Sequence, residues 1–155
     1  MTETIGPFNA QQLNALAQFL PEFEAPNFGP GMMSPMSPNA DGSVSFPYAA
    51  LSDKAGAFVT AAYENGWVVG HFDWPAWSST AVARRLRSDE SAIAEATLEE
   101  LARLLTVLIR QERFAEGTLL DAFKAGLILR IIRRIDTLAQ AGREGLYGHG
   151  NNERN

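Results

Sequence analysis

Residues 97–117 read TLEELARLLTVLIRQERFAEG, and this stretch decides the fold of the chain. It opens with Thr97 and, three residues later, Glu100, the spacing of a capping box at the start of a helix. Apolar residues then recur every three or four positions as one stripe: Leu98, Leu101, Leu104, Leu105, Leu108 and Ile109. We therefore predict a long amphipathic helix that reaches the region of Arg113 and Phe114 and is closed by Gly117.

A second helix is predicted directly after Gly117, starting near Thr118 and ending at Gly142. Its inward-facing residues would be Leu120, Phe123, Leu127, Ile131, Ile135 and Leu138. Because the connection between the two helices is short, they should pack as antiparallel neighbours. The predicted fold class is therefore mainly α, a small helical bundle centred on a C-terminal antiparallel αα-hairpin.

The first part of the chain is predicted to form a short helix followed by a long irregular loop. Asn9 is a suitable N-cap for apolar residues at helical spacing, and Pro21 should stop that helix. Residues 21–45 are rich in Pro, Gly, Ser, Asn and Met, and neither a helix nor a central strand continues through such a composition. We expect this loop to be disordered, the alternative being that Phe23 and Phe28 dock on a surface.

Two more helices are predicted between this loop and the decisive stretch. The first spans residues 52–64 and is followed by an Asn-Gly stop signal. Residues 67–72 form a short extended piece, too brief to establish a sheet. The second helix begins with Asp73 as N-cap and Pro75 in its first turn, and it ends near Ser88.

The length of 155 residues and the 46% hydrophobic content suit one domain with a single core. The predicted parts are an N-terminal helix over residues 1–20, a flexible linker over 21–45, a helical core over 46–142 and a disordered tail over 143–155. The tail is expected because glycine and asparagine dominate it.

Composition also limits where the protein acts and what chemistry it can use. The chain has no cysteine, which excludes disulfides, zinc–thiolate sites and thiol nucleophiles and suits a reducing compartment. No apolar run is long enough to cross a bilayer, and the first residues lack the character of a signal peptide. We expect a cytoplasmic protein without a membrane association.

Common enzyme signatures are missing from the sequence. It has no Walker A loop, no G-x-S-x-G elbow and no H-E-x-x-H motif. Its two histidines are His71, in the extended piece, and His149, in the glycine-rich tail. His71 and Asp73 could supply two metal ligands, but a turn residue and a helix cap explain them better. We therefore expect no metal and no cofactor.

Six residues are candidates for a binding site: Asp73, Trp74, Trp77, Arg110, Arg113 and Glu116. Arg110 and Arg113 share one side of a helix, with Glu116 in the connection that follows. Two guanidinium groups can grip a phosphate or carboxylate, and Asp73 with the tryptophans would form an opposing wall for a stacked ring. The competing interpretation is structural, because arginine favours the last turn of a helix and an Arg–Glu pair can fix a hairpin turn.

Nucleic acid is a less favoured partner. Arg130, Arg133 and Arg134 would form a solvent-exposed face of the last helix, and phosphate contacts need little more than that. However, acidic residues lie nearby in the sequence, and the isoelectric point is about 5.0. We therefore expect no nucleic-acid binding.

Two segments carry a family resemblance. Residues 72–77, FDWPAW, contain an FDW-x-x-W motif, and residues 105–117 contain an LT-x-x-IR-x-x-RF-x-x-G motif. Together they resemble a family of small bacterial and archaeal proteins that is known as a domain of unknown function. The resemblance covers residues 46–138 and implies no activity, but it points to the six candidate residues together with Phe114 and Gly117.

The predicted function is a non-catalytic helical module that binds a protein partner, or a second copy of itself, through aromatic residues and the long loop. The chain is poor in acid–base groups and has three Trp, nine Phe and four Met residues. A regulator or inhibitor of a larger bacterial complex would have this character. The alternative is an anion- or nucleotide-binding protein, or an enzyme, that uses Arg110 and Arg113 with Asp73 or Glu116 as the acid or base.

Overall fold

A computed structural model shows a mainly helical chain, as predicted. The described residues are 8–33, 37–45 and 49–152. Predictions for the first seven residues, for the centre of the Met/Pro-rich run and for the end of the tail lie outside them. The helices are α1 (Ala10–Ala17), α2 (Leu20–Glu24), α3 (Asp53–Glu64), α4 (Trp74–Ser78), α5 (Ala81–Ser88), α6 (Glu90–Ala94), α7 (Leu98–Gln111), α8 (Thr118–Lys124) and α9 (Leu127–Asn152). The strands are β1 (Gly31–Met33), β2 (Ser37–Pro38), β3 (Val44–Ser45) and β4 (Ala49–Leu51).

Helix α7 lies at the centre of the fold. Its capping box is formed as predicted, with Thr97 and Glu100 each accepting the backbone N–H of the other. The predicted stripe is buried except for Leu98, which is half-buried, and three residues on other sides of the helix are buried as well: Ala102, Thr106 and Val107. A helix that is buried all round must be covered on several sides by other elements. Here Arg103 interrupts the buried run, and it is half-buried.

The single helix predicted after Gly117 is two helices, α8 and α9. Gly126 lies between them with a φ of +81°, which favours glycine, and its N–H donates to the carbonyl of Phe123 at 3.1 Å. Because the apolar repeat continues across the break, periodicity does not reveal it. Helix α9 also continues beyond Gly142 to Asn152, so the predicted helix end is wrong. A lone glycine weakens a helix without necessarily ending it. The C-terminal region therefore consists of three helices.

The N-terminal helix α1 is part of the core and is not a detached element. Asn9 and Gln12 form a capping box at its start, with reciprocal hydrogen bonds of 2.9 Å. Leu13 and Leu16 are buried, and α1 packs on α9 and α3. Pro21 lies in the first turn of α2, where its missing N–H is tolerated, so it starts a helix where a stop was predicted.

Part of the predicted loop is held by the core. Phe23 is 6% exposed, and its ring centroid lies 5.7 Å from that of Phe58 and 5.5 Å from that of Phe123. Phe28 stacks on Phe23 at 4.6 Å. Further along, β1 pairs with β4 and β2 pairs with β3, both antiparallel. Phe23 and Phe28 therefore dock on a surface, which was the alternative to a disordered loop. The described part of residues 21–45 contains a short helix and short strands.

The helices before α7 follow the prediction with one interruption. Helix α3 has the predicted bounds, with Ser52 as its N-cap. Asp73 is the N-cap of α4, as predicted, but that helix stops after Ser78. Thr80 then caps α5, because its hydroxyl accepts the N–H of Ala83 at 3.2 Å. The short helix α6 was not predicted, since five residues are too few for a periodic signal.

Across the described ranges, no helix has both the length and the apolar character that crossing a membrane requires.

Candidate functional site

Helix α7 holds the segment that leads into α4 through two side chains one turn apart. The hydroxyl of Thr106 is fully buried, accepts the N–H of Val69 at 2.9 Å and donates to the carbonyl of Ala102 at 2.8 Å. The guanidinium of Arg110 donates from Nη2 to the carbonyl of Val69 at 3.1 Å. Both backbone groups of Val69 are therefore held by α7, which fixes the position of residues 67–72.

Two pairs of aromatic side chains lie beside this anchor, and Trp74 of one pair and Trp77 of the other are three positions apart on α4. The rings of Phe72 and Trp77 lie 5.9 Å apart, and those of Trp74 and Phe114 lie 6.0 Å apart with an angle of 34° between their planes. The guanidinium of Arg103 lies over the Phe72 ring, 5.8 Å from its centroid, within the range of a cation–π contact. We call Phe72, Trp74, Trp77 and Phe114 the aromatic surface.

The aromatic surface is partly open to solvent, although Trp77 also packs against the core. Phe114 is 80% exposed, and Trp74 and Trp77 are half-buried. Neither indole N–H of these tryptophans has a hydrogen-bond partner within the described residues. The third tryptophan differs, since Trp67 is fully buried and its indole N–H donates to the carbonyl of Gln12 at 2.9 Å. A buried Trp normally needs such a partner, whereas the two surface indoles face water.

The connection between α7 and α8 carries Phe114 and is itself fixed by carboxylates. Glu112 accepts the N–H of Gly117 at 2.6 Å and that of Leu119 at 3.4 Å, so it caps the start of α8. Glu116 accepts the N–H of Ala49 at 3.1 Å, which links the connection to β4. The exposed ring of Phe114 therefore lies on a turn that these hydrogen bonds hold in place.

Three of the predicted polar residues bind backbone groups and do not bind one another. Asp73 accepts the N–H of Ala76 at 3.1 Å as the cap of α4, while Arg110 and Glu116 each bind a backbone group. No ion pair within the described ranges joins these acids to Arg110 or Arg113. No hydrogen bond joins the two acids to the two arginines within the described residues either. Of the six candidates, Trp74 and Trp77 join the aromatic surface.

Two arginine groups near the aromatic surface lack partners. The Nε atom of Arg110 is buried without a hydrogen bond, although the same side chain binds Val69 through Nη2. Arg113 is exposed, and its guanidinium has no hydrogen bond or ion pair within the described part of the chain. The aromatic surface therefore has beside it a guanidinium that forms no ion pair within the described residues.

Several contributing residues were missed by the sequence analysis. Arg87 donates to the hydroxyl of Ser78 and to the amide oxygen of Gln111, both at 3.2 Å, and so ties α4 and α5 to α7. Thr106 could have been found, because a polar residue inside an apolar helical run usually has a hydrogen-bonding reason. Arg87 carries no such signal, since its partners are distant in the sequence.

The carboxylates with shifted pKa values lie in turns and caps. The hydroxyl and the backbone N–H of Ser43 donate to Asp41 and lower its pKa. The same two groups of Ser91 lower the pKa of Asp89, which caps α6. Neither acid belongs to the aromatic surface. Within the described residues, no group of three or more His, Cys, Asp or Glu side chains could hold a metal ion.

Comparison with known proteins adds a family without a function. No curated protein and no solved structure matches the chain. Residues 8–141 match a family of unknown function, DUF6508. This match is longer than the resemblance inferred from residues 46–138, because it includes α1 and the loop that packs on the core. The chain belongs to the family of unknown function DUF6508.

Proposed function

We propose that this protein is a non-catalytic helical interaction module that binds a protein partner through the aromatic surface. The observation that carries this proposal is Phe114, which is 80% exposed and lies 6.0 Å from the ring of Trp74. Burying a side chain of this size stabilises a protein or a complex by about 1.5–3 kcal/mol. Because Phe114 is mostly exposed, the fold gains little of this stabilisation, and a complex could gain it. Clustered exposed aromatics mark interaction sites more often than lone ones do.

The rigidity of the aromatic surface favours binding. The hydrogen bonds of Thr106 and Arg110 fix the segment before α4, and Glu112 fixes the turn that carries Phe114. A surface that is already ordered loses little conformational entropy when a partner docks. Trp and Arg are also the residues that most often dominate binding energy at protein interfaces.

The charges around the aromatic surface indicate which side chains a partner segment would carry. Arg113 is exposed and unpaired within the described residues, whereas Glu112 and Glu116 already accept backbone N–H groups. An apolar side chain of the partner would cover Phe114, and a neighbouring acidic side chain would pair with Arg113. The role that we propose is regulation of a larger complex. The protein would bind such a segment on one subunit of that complex.

A capture experiment tests this function. Tagged full-length chain is used to retain proteins from a lysate of its native host, alongside Phe114→Ala and Tyr63→Ala. Tyr63 is a matched control, since it is 48% exposed on α3 and lies outside the aromatic surface. We expect one protein to be retained by the original chain and by Tyr63→Ala, and lost with Phe114→Ala.

Light scattering on the purified chain distinguishes a second copy from another protein as the partner. A concentration-dependent dimer that Phe114→Ala converts to a monomer would identify the partner as a second copy. A monomer that retains no protein in a Phe114-dependent way would contradict the proposed function.

A second candidate function rests on two groups that have no partner within the described residues, the buried Nε of Arg110 and the exposed guanidinium of Arg113. These groups could bind the phosphate of a nucleotide whose base stacks on Trp74. Asp73 and Glu116 are occupied by backbone N–H groups, so catalysis by these acids is not favoured. A nucleotide that raises the melting temperature of the original chain but not of Arg113→Gln would favour this function.

A further inference from the structure

A groove between α6 and α9, remote in sequence from the aromatic surface, has an unusual concentration of arginine. It encloses about 270 Å³, and three of its described lining residues are Arg130, Arg133 and Arg134. One described lining residue, Glu90, is acidic. Guanidinium groups stay protonated in proteins, so this part of the groove has an excess of positive charge.

The arginines of this groove are incompletely satisfied. The side chain of Arg130 is 23% exposed, its Nη1 donates to the carbonyl of Ala125 at 3.3 Å, and its buried Nε has no partner within the described chain. Its ion-pair partner Glu90 is 3.8 Å away and 83% exposed, which makes the pair weak. A mostly buried cation with such weak compensation is costly unless another anion approaches it.

Arg134 is held in a position that leaves its charged end available. Its Nε donates to the carbonyl of Ala96 at 2.9 Å, and its two terminal nitrogens have no partner within the described residues. Arg133 lies at the rim, where it pairs with Glu24 at 3.4 Å. The groove thus presents at least two guanidinium groups from successive turns of α9.

We propose that the α6–α9 groove is a binding site for a small phosphomonoester. A phosphate dianion can accept hydrogen bonds from Arg130 and Arg134 at once, whereas one guanidinium fork already satisfies a carboxylate. Ala94, which is exposed and lies beside the buried Ile93, supplies an apolar wall for the carbon part of the ligand. The volume is slightly below the range of about 300–1,000 Å³ that drug-sized ligands occupy, so the ligand is small.

A nucleic acid fits the groove less well than a small ligand. Binding a nucleic-acid backbone requires a basic stripe that follows several phosphates, and here Glu90 and Glu24 interrupt the positive charge. The site is also independent of the proposed function, because it shares no residue with the aromatic surface.

The test is a titration of the full-length chain with inorganic phosphate and with ribose 5-phosphate, followed by NMR of the arginine Nε–H groups. We expect the signals of Arg130 and Arg134 to move in a saturable way, and that of Arg84, on α5 and outside the groove, to stay unchanged. Ribose 5-phosphate should bind more tightly than inorganic phosphate, because its carbon part contacts the apolar wall. If neither arginine signal moves at millimolar ligand, the proposal is wrong.

Variants assign the binding to the groove. Arg130→Gln should weaken phosphate binding about tenfold or more, since a charge-assisted hydrogen bond is lost. Glu90→Gln removes an exposed competing carboxylate and should tighten binding without disturbing the fold. Arg84→Gln is the matched control, because Arg84 is exposed on α5 and does not line the groove, and it should bind normally. Unchanged affinity in Arg130→Gln, or weaker binding in Glu90→Gln, would overturn the proposal. So would a single-stranded RNA oligonucleotide that binds the groove in preference to ribose 5-phosphate.

Discussion

The molecule contains two aromatic clusters of similar chemistry and opposite accessibility. In the first, Phe23, Phe58 and Phe123 meet edge to face, and Phe58 is fully buried. In the second, Trp74 lies against Phe114, which is 80% exposed. The first cluster is covered because the N-terminal segment docks on it, while no described element covers the second. Aromatic content therefore does not distinguish a core cluster from a binding surface. What distinguishes them is whether another segment of the chain covers the cluster.

The largest expected effect is a difference in stability between the two clusters. Phe58→Ala should lower the free energy of unfolding by about 3–5 kcal/mol, because it leaves a cavity among closely packed rings. Phe114→Ala should change it by less than about 0.5 kcal/mol, as surface substitutions do. Urea denaturation of both variants measures the difference. Equal losses would show that Phe114 is a core residue and would remove the basis for an open cluster.

A smaller effect is expected at the support of the open cluster. Thr106→Val keeps the side-chain volume but leaves the part-buried N–H of Val69 without its acceptor, at a cost of about 1–3 kcal/mol. The matched control is Thr137→Val, because Thr137 also donates to the carbonyl four residues earlier but is exposed. Urea midpoints of the two variants test the assignment. A loss in Thr137→Val as large as that in Thr106→Val would contradict it.

The smallest effect is expected at the turn that carries Phe114. Glu112→Ala removes the side-chain acceptor for the N–H groups of Gly117 and Leu119 and should cost about 0.5–2 kcal/mol, the usual range for a helix cap. Thermal unfolding followed by circular dichroism measures this loss. Glu64→Ala serves as the control, since Glu64 is exposed and has no partner within the described residues. A melting temperature that falls equally in both variants would exclude the capping role.

The parts of the fold that local chemistry determines were predictable from the sequence. The N-cap at Asn9 and the capping box at Thr97 were readable because each depends on residues within one helical turn. Pro21 was misread because proline both ends helices and occupies their first turn. The break at Gly126 was missed because apolar periodicity continues on both sides of it.

The candidate site was predictable in composition but not in arrangement. Asp73 was correctly identified as a cap, and Trp74 and Trp77 each lie near a second aromatic ring. The partners of Arg110 and Glu116 are 41 and 67 residues away, and no local pattern encodes contacts at such separations. Distant contacts also distinguish the tryptophans. Trp67 is buried because it donates to the carbonyl of Gln12 and stacks on Phe8, and Trp74 has neither contact.

The most direct test of the central claim is the affinity of the captured partner for the Phe114→Ala chain. If the open cluster is the binding surface, the dissociation constant should rise about 30-fold or more, the loss of about 2 kcal/mol typical of a central interface residue. The melting temperature should stay the same, and Tyr63→Ala should bind like the original chain. A dissociation constant that Phe114→Ala leaves unchanged would contradict the claim that the uncovered aromatic cluster is where this protein binds.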